Sequence, residues 1–146
     1  MNEQVQKLRQ MTGAGVMDCK RALEEAKGDF DRAVELIHEK GAVIAAKRGE
    51  RKTGAGVLES YIHNNRVGVL LELRTETDFV AKSDPFRNLA HELAMQVAAM
   101  GSDSVEALLK EPYVKDESIN VQDLVTRVIG QVGENIKIER FCRYEL

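Results

Sequence analysis

An α+β fold is predicted by three features of this sequence. Apolar residues recur at helical spacing over the first forty positions, change to strand-like runs near residue 57, and return to helical spacing from Phe86 onward. A last alternating run, NIKIERFCRYEL, closes the chain. Strands grouped before and after a set of helices suit an antiparallel sheet of about three strands with helices on one side. Ahead of it stands a small three-helix module.

The elements follow in order. Val5, Leu8 and Met11 are spaced three apart and make one apolar stripe, which Gly13 and Gly15 interrupt. A second amphipathic segment covers residues 16–26, with Met17, Cys19, Ala22, Leu23 and Ala26 as inward positions. Gly28 stops it, and Asp29 can cap a third helix carrying Phe30, Ala33, Val34 and Ile37, with Gly41 as its C-cap. Three such helices bury little surface, so the module is expected to lean on neighbours or partners. In GAVIAAKRGERKTGAG, which follows, the first part can extend as helix and the second is read as a hinge or exposed connection. The boundary is placed near Lys52, giving a helical module with its linker (1–52) and an α+β domain (53–146).

Residues 57–62 and 66–73 are β-like runs joined by His63-Asn64-Asn65, a hairpin signal. Val67, Val69, Leu71 and Leu73 share one face, and the near-continuous VGVLLEL suits an interior strand. Asp84 or Ser83 can cap the next helix, with Pro85 near its first position, where no N–H is needed. Phe86, Leu89, Ala90, Leu93, Val97 and Met100 form its stripe, and Gly101 stops it. A short helix near 105–109, a break at Glu111-Pro112-Tyr113 and a helix over 121–129 lead to Gly130 and Gly133. In the final strand Ile136, Ile138, Arg140, Cys142 and Tyr144 alternate with Lys137, Glu139, Phe141, Arg143 and Glu145, ready to pair with the hairpin.

Composition and motifs exclude much. A content of 43% apolar and 31% charged residues is that of a folded chain rather than a disordered one. A formal net charge of −3 supplies no broad cationic field, so direct nucleic-acid binding is not expected, and AKRGERK (46–52) is read as a solvated linker. No apolar run approaches the ~20 residues needed to span a bilayer, and the amino terminus lacks a signal-peptide core, so no membrane association and a cytoplasmic location are expected. Cys19 and Cys142 lie far apart, and His38, His63 and His91 are scattered, so no zinc motif assembles and no metal or cofactor is expected. There is no GxSxG, P-loop or GxGxxG, and the two GAG triplets are read as turns. Glu72, Glu76, Asp78 and His91 are acid–base groups spread over a strand, a turn and a helix without a nucleophile, so the chain is expected not to be an enzyme.

One stretch resists this bland account. TETDFVAKSDPF (75–86) sets Phe79 and Val80 among Thr, Glu, Asp and Lys where a strand gives way to a helix. The aromatic is either a core residue at a corner or a projecting contact for another molecule, and pattern leaves both open.

Three blocks carry a family resemblance. KLRQMTGAGVMDCKRALEEAKGDFDRAVELI (7–37), GVLLELRTETDFVAKSDPFRNLAHELAMQVA (68–98) and GENIKIERFCRYEL (133–146) resemble, in the same order, segments of bacterial elongation factor Ts. The first resembles its ubiquitin-associated-like (UBA-like) three-helix module, the second its core with the TDFVA motif. This chain departs from the family in having room for only a brief helix between Met100 and Pro112, where many members carry a longer insertion, and Val16 replaces the first residue of a usual Met-Met pair.

The resemblance implies a guanine nucleotide exchange factor that binds elongation factor Tu and dislodges its Mg²⁺. By the same resemblance Thr77, Asp78, Phe79 and Val80 act near the partner's metal, with Phe79 as wedge and Asp78 altering the surrounding charge. Leu8, Val16 and Met17, around the TGAG turn, would meet the GTPase domain; without the resemblance they are ordinary bundle positions. Cys142 is either a reduced thiol in a monomer or near the seam of a homodimer formed through the C-terminal strand. The competing reading is a UBA-like adaptor fused to an α+β domain, without exchange activity.

Overall fold

The computed structural model describes residues 2–146. Helices α1 (Glu3–Thr12), α2 (Val16–Glu25) and α3 (Phe30–Arg48) come first. Asn2 caps α1 by accepting from the Gln4 N–H, and Gly13, at φ 70°, ends it in the left-handed region that favours glycine. Asp29 caps α3 through the Arg32 N–H. Val5, Leu8, Cys19, Ala22, Leu23, Ala26 and Ala33 form a first, small core.

The apolar stripes differ from expectation at both methionines. Met11 and Met17 are 61% and 56% exposed rather than inward. At about 100° per residue, Thr12 falls between Val5 and Leu8 on the α1 wheel and Met11 falls outside them. On α2, Met17 lies two residues from Cys19 and so on the far side of the helix.

A larger correction concerns Gly41, which is not a C-cap. The helix runs on to Arg48 with Gly41 buried inside it. An interior glycine costs about 1 kcal/mol relative to alanine, and here packing outweighs that cost. Gly41 faces Gly130 of α7 (Val121–Val132), and the missing side chains let the two backbones approach. Beyond this crossing Ile44 and Ala45 pack against the second, larger core, so α3 contributes to both.

That second core lies under an antiparallel sheet of β1 (Ala55–His63), β2 (Val67–Thr75) and β5 (Ile136–Glu145), in the order β1-β2-β5. The α+β class follows from this architecture. Asn64 and Asn65 make the hairpin turn at φ 51° and 57°, a conformation asparagine tolerates better than most residues. Central strand β2 buries Val69, Leu71 and Leu73 against α5 (Asp84–Met100), whose Phe86, Leu89, Leu93 and Val97 are buried. Ser83 is the N-cap of α5, Pro85 lies in its first turn and Gly101 ends it in the left-handed region. Only Met100, at the last position, leaves the expected stripe and is exposed.

Strand β5 does not keep the simple alternation. Leu73 pairs with Ile138 and Glu72 with Arg140, leaving Glu139 as a bulge. Past it the faces exchange: Phe141 and Arg143 are half-buried, while Cys142 and Tyr144 point outward, opposite to Ile136 and Ile138. A two-stranded ribbon, β3 (Pro112–Tyr113) and β4 (Asp116–Asn120), follows the short α6 (Val105–Lys110). It is held on α5 by buried Gln96, which donates to the Pro112 carbonyl and accepts from the Val114 N–H, and by the Tyr113 hydroxyl, which donates to Glu92 at 2.7 Å.

Candidate functional site

The strand-to-helix stretch folds as one turn of helix, α4 (Asp78–Ala81). Thr77 is its N-cap, with Oγ1 accepting from the Val80 N–H at 3.3 Å. Its end is closed by Ser83, whose hydroxyl donates to the Val80 carbonyl at 2.6 Å. Val80 and Ala81 are buried in the large core, with Val80 only 6% exposed. The preceding residue is the reverse case, since Phe79 is 86% exposed. Successive helical residues diverge by about 100°, so anchoring Val80 and Ala81 turns Asp78 and Phe79 outward. Of the four residues singled out in this motif, Thr77 caps, Val80 anchors, and Asp78 and Phe79 are presented to solvent.

Two residues that sequence reasoning left without a role brace this turn. The pair Thr75–Ile136 ends the β2–β5 ladder, so residues 76–77 run beside 134–135. The Glu134 carboxylate accepts from the Thr77 N–H at 3.0 Å, from the Thr77 hydroxyl at 2.7 Å and from the Thr75 hydroxyl at 3.2 Å. Asn135 donates its N–H to Glu76 at 2.6 Å and its side-chain amide to the Arg51 carbonyl at 2.9 Å. The available signal was an acid directly after the Gly133 helix stop, facing two threonines once the strands pair.

The other predicted surface lies at the α1–α2 turn. Leu8 is 0% exposed and belongs to the first core, so it supports this tip from within. Val16 is half-buried, and Met17 stands free. Met11, which sequence reasoning assigned to the interior, joins Met17 as an exposed apolar side chain beside the glycines. A cleft of about 620 Å³ opens between this turn, α3 and α7. On its wall, burial and the Arg127 guanidinium hold His38 below the usual histidine range.

The scattered acid–base groups do not converge. Glu72 lies on the outer sheet face between Arg140 (2.8 Å) and Arg74 (2.6 Å), which hold its carboxyl below the usual glutamate range. Glu76 meets Arg51 at 3.4 Å, and His91 lies edge-on to Tyr61. Among the described residues no group of three or more His, Cys, Asp or Glu is arranged to hold a metal, and no helix is long and apolar enough to cross a membrane.

Comparison with known proteins places this geometry. The family model described as Elongation factor TS matches residues 76–146, from the start of the turn through its brace to the end of β5. Elongation factor Ts of Carboxydothermus hydrogenoformans is 39% identical over 191 residues, covering 99% of this chain and 88% of that protein. The chain belongs to the elongation factor Ts family. It is thereby a translation elongation factor of protein biosynthesis. Elongation factor Ts of Thermotoga neapolitana is likewise 39% identical, covering 97% of this chain and 94% of its own length. That of Nostoc sp. is 43% identical over 143 residues, but the match spans 45% of that protein. The 191-residue alignment exceeds the 146 residues of this chain, so the Carboxydothermus factor carries residues that have no counterpart here.

Proposed function

We propose that this chain is a guanine nucleotide exchange factor that binds elongation factor Tu carrying GDP, displaces its Mg²⁺ and releases the nucleotide. The observation that carries this reading is the Phe79 ring, exposed on a turn whose next two residues are locked into the core. An exposed aromatic on a rigid base offers a large contact at little cost in conformational entropy. The action is binding, not covalent chemistry, so the chain is not an enzyme in this reading. It works in the cytoplasm, with neither nucleic acid nor membrane as a direct partner.

The physics is linkage. A protein that binds the nucleotide-free GTPase better than the GDP-bound form weakens GDP by the same factor, at ~1.4 kcal/mol for each tenfold. Phe79 wedges against the elements that hold the ion, and Asp78 beside it brings a carboxylate that competes for their hydrogen bonds and charges. Val80 and Thr77 hold those two in place. Met17 and Val16 give a second contact to the GTPase domain, with Leu8 packed beneath them; flexible methionine suits such a surface. The test is stopped-flow release of fluorescent GDP from elongation factor Tu. An unchanged release rate at saturating concentrations of this protein would leave the adaptor reading in its place.

A homodimer is the second reading, favoured by the outer sheet face, where Leu58, Ile62, Leu70 and Tyr144 are exposed beside Cys142. A second copy would cover this face through the C-terminal strand. Sedimentation equilibrium tests it, and a single species at monomer mass across micromolar concentrations excludes it.

A further inference from the structure

We propose that Glu134 and Asn135 are positioning residues that set the direction of the Phe79 ring; this rests on the exchange reading above. Helix α4 is a single turn of four residues, too short to be stable by its own hydrogen bonds. Its orientation is therefore imposed from outside. Val80 and Ala81 fix one side by burial, and Glu134 fixes the N-terminal end. The Thr77 hydroxyl gives its proton to Glu134 and accepts from the Val80 N–H, so the carboxylate selects the rotamer in which the cap works. Asn135 extends the clasp. Its N–H holds Glu76, and its side-chain amide holds the Gly49 and Arg51 carbonyls at the end of α3. Arg48 donates to the Gly133 carbonyl at 3.2 Å from the same side. Three segments remote in sequence (48–51, 75–77 and 133–135) thus meet behind the exposed ring. The clasp also ties the base of the helical module carrying Met17 to the turn carrying Phe79, so both contacts reach the partner in one fixed relation.

A wedge must arrive in one geometry, and a misplacement on the order of 1 Å costs 10- to 100-fold in such a step. The test is a cycle of Glu134→Ala, Glu134→Gln, Phe79→Ala and the double variant Phe79→Ala/Glu134→Ala. Each full-length protein is titrated into elongation factor Tu loaded with fluorescent GDP, at a temperature where circular dichroism shows it folded. Glu134→Ala is expected to lower the saturating release rate about tenfold, with a smaller change in the half-saturating concentration. Glu134→Gln, whose amide oxygen still accepts from the Thr77 N–H, should lose less. The double variant should be no slower than Phe79→Ala alone, because the two act through one ring. A wild-type rate for Glu134→Ala beside a slow Phe79→Ala overturns the proposal, as do losses that multiply in the double variant. If Phe79→Ala itself releases GDP at the wild-type rate, the exchange reading fails and takes this proposal with it. Should Glu134→Ala not fold, the glutamine variant enters the same cycle with the same outcomes.

Discussion

Gly41 and Gly130 face each other where α3 crosses α7, and their contact is asymmetric. A methyl group on Gly41 would lie 3.6 Å from the Gly130 Cα, an ordinary packing distance, whereas one on Gly130 would collide with the Gly41 backbone. Gly130→Ala is therefore expected to cost about 1–3 kcal/mol, because two helices must separate. Gly41→Ala should stay within about 1 kcal/mol of the parent, the gain in helix propensity offsetting the tighter contact. Chemical denaturation midpoints of the two variants check the asymmetry. Equal losses would contradict it.

Adjacent residues in α4 should respond in opposite ways. Phe79→Ala removes a solvated ring and should change stability by less than about 0.5 kcal/mol while slowing stimulated GDP release. Val80→Ala removes two buried methyl groups and should cost about 2 kcal/mol. Thermal melts and the release assay, run on the same preparations, separate the two effects. A large fall in melting temperature for Phe79→Ala with normal release would restore the core-residue reading of that position.

Glu72 makes a prediction about acid. Arg140 and then Arg74 depress its carboxyl in the folded state below the ordinary glutamate value of 4.5. A depressed carboxyl stabilises the fold above its unfolded value, and that contribution is lost as the pH falls through the folded one. Glu72→Gln should thus be less stable than the parent at neutral pH, and the gap should close progressively below about pH 4.5. Denaturation midpoints at pH 7, 5, 4 and 3 follow this. A gap that does not change with pH would assign the loss to packing instead.

The two thiols should react at different rates. Cys142 is free and exposed, whereas Cys19 is free and buried, with burial pushing its thiol up. One equivalent of a maleimide should add quickly and the second only as the helical module opens. Cys142→Ser should abolish the fast phase. Fast labelling that survives that substitution would mean that Cys19 is reachable in the folded protein.

What was legible in the sequence, and what was not, divides along the range of the interactions. Helix α5 could be read in full because its cap, its proline, its stripe and its terminal glycine are local signals that agree. The position of the Phe79 turn followed from its flanks, since Leu73 and Phe86 both belong to stripes with clear phase. The direction of the ring did not, because a four-residue helix has too few positions to define a face. Gly41 misled for a different reason: its role is set by Gly130, 89 positions away, and no local rule distinguishes a glycine that ends a helix from one that admits a neighbour. The brace at Glu134 was hidden likewise until β2 and β5 were paired. Ribbon β3–β4 escaped notice because its strands are short and lack alternation.

The unpaired Glu139 works on the last strand as an inserted base works on a reading frame. Upstream of it, inward positions are even-numbered and hold Ile136 and Ile138; downstream they are odd-numbered and hold Phe141 and Arg143. One extra residue thereby frees the outward set, Cys142 and Tyr144 among it, from the pattern that builds the core. Substitutions on that surface can accumulate without touching the interior, whereas deletion of Glu139 would exchange the two faces and send Tyr144 inward in a single step.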